Sequence, residues 1–125
     1  MTSDVKEYLI NGDEPLHKIL EKLNKTGKRN LFQVKNRRLA GVINDGDIRR
    51  FLLKGGSLND CATDAINPHP KFLFNTERNN AERFLAENKI SAVPIVDENL
   101  CVIDIISCFD RVDVTQTSIR ELTAD

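Results

Sequence analysis

The run Asn44-Asp45-Gly46-Asp47-Ile48-Arg49-Arg50 brings an amide, two carboxylates and two guanidinium groups into one short stretch. It follows the apolar segment Leu39-Ala40-Gly41-Val42-Ile43 and leads into Ile48, Phe51 and Leu52, which fall at i, i+3 and i+4. A strand end passing into a helix is therefore expected here. Such a junction offers free backbone N–H groups and a favourable dipole to an anion. Arg49 or Arg50 would suit a phosphate. Each residue also has a plainer role. Asp45 and Asp47 are good turn and N-cap residues, a role worth ~1 kcal/mol without any ligand, and arginines on an exposed helix are commonly only solvated. A related run, Ser107-Cys108-Phe109-Asp110, lies 63 residues downstream, with Ser107 matching Asn44 and Asp110 matching Asp47.

Other chemistry is hard to assemble from these residues. His17 and His69 are the only histidines and read as ordinary surface residues. Cys61, Cys101 and Cys108 are odd in number and scattered, without disulfide or metal-ligand spacing, and read as reduced, mostly buried thiols. Gly55-Gly56 follows a helix and lacks a following Lys-Ser or Lys-Thr, so it is a helix stop rather than a phosphate cradle. No nucleophile–base pair, paired acid or metal cluster is present, so the chain is expected to be no enzyme and to need no metal.

Composition narrows the class further. The 125 residues are 40% hydrophobic and 30% charged, as in an ordinary globular domain. No apolar run approaches the ~20 residues of a membrane span, and the start lacks the pattern of a signal peptide, so a cytoplasmic location away from membranes is expected. The formal net charge of −1 lacks the footprint of a nucleic-acid binder. It is unevenly spread, with 12 Lys/Arg against 8 Asp/Glu in residues 1–62 and 6 against 11 in residues 63–125. An anionic ligand in the first half, attraction between the halves, or an unevenly charged solvated surface would each fit.

The elements that must position the run repeat themselves. Leu16, Ile19, Leu20 and Leu23 mark a helix stopped by Gly27; Leu31–Val34 and Leu39–Ile43 read as strands around a polar turn, Lys35–Arg38; and a helix follows Asp47. In the second half, Lys71–Phe74 reads as a strand, Ala81, Phe84 and Leu85 as a helix face, Val93–Val96 and Val102–Ile106 as strands, and Ser107–Val112 as the start of a helix. Val34 matches Val96 at a separation of 62, so the second turn carries one extra residue. The domain reading is a first repeat over 14–56, a linker over 57–70 with one helical turn at Asp64-Ala65-Ile66, a second repeat over 71–112, and terminal extensions at 1–13 and 113–125. Neither unit is large enough to bury its sheet alone.

The run Gly41 to Asp47 resembles the Gly-h-h-Thr-x-x-Asp signature of CBS modules, where h is an apolar strand residue. Together with Asp64-Ala65-Ile66-Asn67 and Ala92-Val93-Pro94-Ile95-Val96-Asp97-Glu98-Asn99, the resemblance covers residues 14–112. More narrowly, Lys6–Ile10, Asp45–Arg50 and Val102-Ile103-Asp104 resemble the CBS pair in front of bacterial sugar-phosphate nucleotidyltransferases. Sugar-phosphate isomerases carry a similar Asp-Gly-Asp run in their CBS tails.

The resemblance implies an α/β fold, a tandem CBS pair in which two β-α-β-β-α repeats pack sheet to sheet with pseudo-two-fold symmetry. It also implies two clefts at the ends of the last strands, with an adenine nucleotide (AMP, ADP or ATP) as regulatory ligand. Asp47 and Asp110 take the role of holding ribose hydroxyls, and Ser107 that of assisting at the phosphate. Asn44, Asp45, Arg49 and Arg50 complete the first cleft, and Val93 and Pro94 come with the second motif. Two departures matter. Asn44 stands where Thr or Ser is usual, and Asp104 stands where Gly is usual, putting a carboxylate near an anionic ligand. The first cleft is thus the better candidate. A ligand-free interaction module is the rival reading. The resemblance further implies a homodimer through helix faces, here Ile48/Phe51/Leu52 and Phe109/Val112, and a nucleotidyltransferase domain or other enzyme as regulated partner.

Overall fold

A computed structural model describes residues 2–108, and within them the chain forms two three-stranded sheets of the same design. The first sheet has the order β1 (Leu9–Ile10), β2 (Asn30–Lys35), β3 (Arg38–Asn44), with α1 (Leu16–Thr26) between β1 and β2 and α2 (Asp45–Leu53) after β3. The second has β4 (Leu73–Phe74), β5 (Ala92–Val96), β6 (Val102–Ser107), with α3 (Ala81–Asn88) between β4 and β5. In each, a two-residue parallel strand flanks an antiparallel hairpin.

The register confirms the repeat and its one inserted residue. Both hairpins slip once near the turn, between Gln33 and Val34 and between Ile95 and Val96, after which Val34 faces Leu39 but Val96 faces Val102. The first turn is tighter than the four polar residues suggest. Lys35 pairs with Arg38, and Asn36 and Arg37 alone make the reversal with φ of 53° and 71°, the left-handed pair whose twist matches a two-residue hairpin.

Helix α1 buries Leu16, Ile19 and Leu23 and ends at Gly27, whose φ of 74° lets its N–H reach the Leu23 carbonyl. It starts after Pro15 because the segment joining the units fixes it there: Leu16 N–H donates to Asp60 O and His17 N–H to Leu58 O. These side chains pack with Ile10, Leu31, Ile43 and Ile48 into one core, while Leu73, Ala81, Leu85, Val93 and Ile95 form the other. Between the sheets lies a third cluster, in which Tyr8 and Phe32 meet Ala92 and Ile105. Strand β5, packed on both faces, is buried at every residue, which explains its unbroken apolar sequence.

Three readings change. The start of the chain is core rather than extension: Tyr8 and Ile10 are buried, and Leu9 pairs with Phe32. A two-residue strand has no periodicity by which to announce itself. The face Ile48/Phe51/Leu52, expected to need a second copy, lies against the first core, and Leu53 is the exposed apolar residue of α2. Cys61 is exposed, its thiol donating to Gly12 O at 3.3 Å, whereas Cys101 and Cys108 are half-buried. Residues 109–125, with Phe109, Asp110, Val112 and the expected C-terminal extension, lie outside the described residues. Among those described, no helix is long and apolar enough to cross a membrane.

Candidate functional site

The end of β3 holds the site because Asn44, extended at φ −140°, caps α2. Its Oδ1 accepts the Asp47 N–H at 2.9 Å, and its own N–H donates to Asp47 Oδ2 at 3.0 Å. This is a reciprocal capping box in which both helix-end donors are satisfied. The other oxygen, Asp47 Oδ1, accepts from Arg50 Nη2 at 2.7 Å, one helical turn on. Asn44 Nδ2 donates to Asn30 Oδ1 at 3.4 Å, and Asn30 Nδ2 donates to Ser91 Oγ at 3.2 Å. A chain of side-chain hydrogen bonds thus runs from the α2 cap into the second unit.

Two clefts open around this chain and share Asn30, Asn44, Arg50 and Ile90 as walls. The smaller, about 250 Å³, has apolar walls from both units, Phe32 and Val42 from the first and Ile90 and Ala92 from the second, and is lined as well by Asp47, Asn67, His69 and Lys71. The wider, about 1060 Å³, takes in Asp45 and Gly46 at the first turn of α2 and the cations Lys28, Arg29 and Lys89 beside Arg50. A mixed cleft with apolar walls from both units beside a basic recess suits an aromatic or aliphatic group carrying polar groups and an anion.

The expected residues divide among these places. Asn44, Asp47 and Arg50 meet at the small cleft, and Asp45 lines the wide one. Arg49 is exposed and lines neither. Val93 and Pro94 are buried in β5, and it is Ser91 and Ala92 beside them that reach the clefts. Ser107 is buried opposite Ala92 at the end of β6, with Cys108 next to it in the wall of the wide cleft. Asp110 lies outside the described residues.

Both departures from the signature acquire partners. Gly41 is needed because the segment joining the units packs on it: a Cβ there would collide with Ile66 Cγ2 and lie 3.0 Å from Asn67 O. Val42 and Asn67 exchange both backbone hydrogen bonds beside it, at 2.9 and 2.8 Å. At the matching position Asp104 accepts from Arg78 Nη1 at 3.1 Å, and Arg78 Nε donates to Asn75 Oδ1 at 2.9 Å, so the carboxylate is neutralised. Sequence reading missed Asn30, Asn67, His69, Lys71 and Lys89. The one signal for the basic recess was the excess of cations in the first half, to which Lys28, Arg29 and Arg50 belong.

Residues 1–54 match the family model of the CBS domain. A CBS domain protein from Pyrobaculum aerophilum complexed with AMP superposes at a TM-score of 0.67 with 18% identity, over 82% of this chain and 80% of that one. The fold is that of a CBS-domain pair. The CBS pair of protein MJ0100, in complex with 5′-methylthioadenosine and S-adenosyl-L-methionine, likewise superposes at 0.67 with 18% identity, over 91% of this chain and 98% of that one. In sequence, this chain is 42% identical over 60 residues to the arabinose 5-phosphate isomerase of Salmonella typhi, a stretch that is 47% of this chain and 19% of that protein. The chain thus matches about a fifth of the length of such relatives, and they are isomerases rather than nucleotidyltransferases.

Proposed function

We propose that this CBS pair is a regulatory module that takes an adenine nucleotide in the first cleft and passes its occupancy to an attached or partner enzyme. The observation that carries the proposal is the junction at Asp47. A carboxylate able to receive ribose hydroxyls lines a cleft whose apolar walls could take the base, and Arg50 beside it also lines the neighbouring recess, where four cations could meet the phosphates. Because Phe32 and Val42 belong to one unit and Ile90 and Ala92 to the other, a base between them would couple the two units. Occupancy would then favour one relative placement of the sheets, which is what a switch requires. The structures complexed with AMP and with adenosine derivatives support the ligand class.

The regulated activity belongs to the absent part of a larger protein or to a partner, and this chain is read as non-catalytic. A sugar-phosphate enzyme is the common ground of the two resemblances. The identity to arabinose 5-phosphate isomerases supports an isomerase, whereas the Asp45–Arg50 and Lys6–Ile10 segments resemble the nucleotidyltransferase pairs. The competing reading, a ligand-free dimerisation module, is favoured by one observation: both Asp47 oxygens already have partners inside the chain.

A thermal-shift series with AMP, ADP and ATP tests the proposal. At 100 times its dissociation constant the right nucleotide should stabilise the fold by ~2.7 kcal/mol. No response to any of the three leaves the dimerisation module as the better reading. Self-association is part of the proposal in either case, supported by Leu53, 80% exposed on α2, as apolar surface for a second copy to cover. Light scattering at high micromolar concentration should give twice the 14.1 kDa chain mass, and a mass of one chain would remove the dimer.

A further inference from the structure

Arg50 stands where the two clefts meet, and it holds the carboxylate that a ribose would need. Its Nη2 is 2.7 Å from Asp47 Oδ1, while Asp47 Oδ2 is engaged by the Asn44 N–H. The guanidinium lies across the first turn of α2, where a Cβ on Gly46 would come within 3.3 Å of Nη1 and 3.5 Å of Nη2. The Arg50 side chain is nevertheless 64% exposed against 16% for Asp47, so the arginine is free to swing and the carboxylate is not. A neutral nucleoside entering the small cleft would have to share or displace a charged donor at Asp47 and would offer Arg50 nothing in return. A ligand with a 5′-phosphate would offer it an anion in the wide cleft, which Arg50 also lines, in the bidentate geometry a guanidinium favours.

We propose that Arg50 is a gate that makes this site select phosphorylated nucleosides over nucleosides without phosphate. In the empty site it closes Asp47, and on binding it moves from Asp47 Oδ1 to the ligand phosphate, leaving the carboxylate to the ribose. The inference rests on the nucleotide-site reading above and adds to it the phosphate as the required group. 5′-Methylthioadenosine, which keeps the base and ribose but replaces the phosphate with a thioether, is the discriminating probe.

Calorimetric titration of the protein and of Arg50→Gln with AMP and with 5′-methylthioadenosine tests the gate. The unaltered protein should prefer AMP. Arg50→Gln should weaken AMP about tenfold through loss of a charge-assisted contact and tighten 5′-methylthioadenosine about two- to fivefold, the scale of removing an exposed ion pair. Opposite signs for the two ligands are the signature, which loss of fold cannot produce. Arg50→Lys, which keeps the charge but not the fork, should fall between. If Arg50→Gln leaves 5′-methylthioadenosine unchanged or weakens it while AMP still binds the unaltered protein, the gate is overturned and the nucleotide site stands. If neither ligand binds either protein, both are overturned.

Discussion

Asp47→Ala should reduce the stabilisation given by the cognate nucleotide from ~2.7 kcal/mol to between about 0.3 and 1.3 kcal/mol at the same ligand concentration. The range follows from losing a charge-assisted acceptor, ~1.5–3 kcal/mol of affinity, at a starting saturation of 100 times the dissociation constant. The substitution also dismantles the capping box. The Asn44 N–H loses its acceptor and Arg50 its ion-pair partner, so the ligand-free protein should lose ~1 kcal/mol as well. Only the ligand-induced increment reports on the site. Asp47→Asn separates the two effects, because its amide oxygen can still accept from Asn44 while the charge that favours ribose hydroxyls is gone. It should keep most of the ligand-free stability and still show a reduced increment. Equal increments in the unaltered protein and both variants, read by thermal melts with and without nucleotide, would remove Asp47 from the site.

Gly41→Val is expected to be the most damaging exchange outside the hydrophobic cores. Its Cβ would overlap Ile66 Cγ2 and press on the Asn67 carbonyl at 3.0 Å, and that carbonyl is backbone held to Val42 by two hydrogen bonds. Neither neighbour can retreat without giving up the pairing of the joining segment with β3. Overpacking of this kind costs ~1–3 kcal/mol, and with two branches on the new side chain the upper end is expected. The consequence for function should exceed the loss in stability. Asn67 is part of that pairing, His69 and Lys71 follow it, and all three line the small cleft, so lifting the segment opens that cleft. Denaturant unfolding should show a lower midpoint, and titration at a temperature where the variant is still folded should show weakened nucleotide binding. Stability and binding both unchanged would mean that the joining segment does not need the glycine.

The sequence by itself determined the elements and their duplication. Helix and strand are local patterns, and Leu16, Ile19 and Leu23 or the short run Leu31–Val34 carry them without reference to distant residues. The separations of 62 and 63 residues between the halves reappear as matching hairpins with matching slips, and the apolar run Val93–Val96 reads correctly as a strand, while its burial on both faces is a finding of the structure. The cap was legible only in part: Asp45 and Asp47 read as caps from the sequence, whereas Asn44 is the N-cap, the helix starts at Asp45, and Asp47 is the reciprocal partner three residues on. The same spacing explains why Arg50 rather than Arg49 meets Asp47: residues three apart share a helix face and residues two apart do not.

Only the tertiary structure decided where these parts meet. Strand β1 exists because β2 offers an edge to Leu9 and Ile10, and two residues are too few to show a period. The segment between the repeats, a loop by composition, is tied to α1 and β3 by backbone hydrogen bonds and thereby brings His69 and Lys71 to the cleft. Asp104, an unwelcome carboxylate on paper, acquires Arg78 from 26 residues away. Such pairings depend on the path of the backbone between distant positions, about which local residue spacing carries no information.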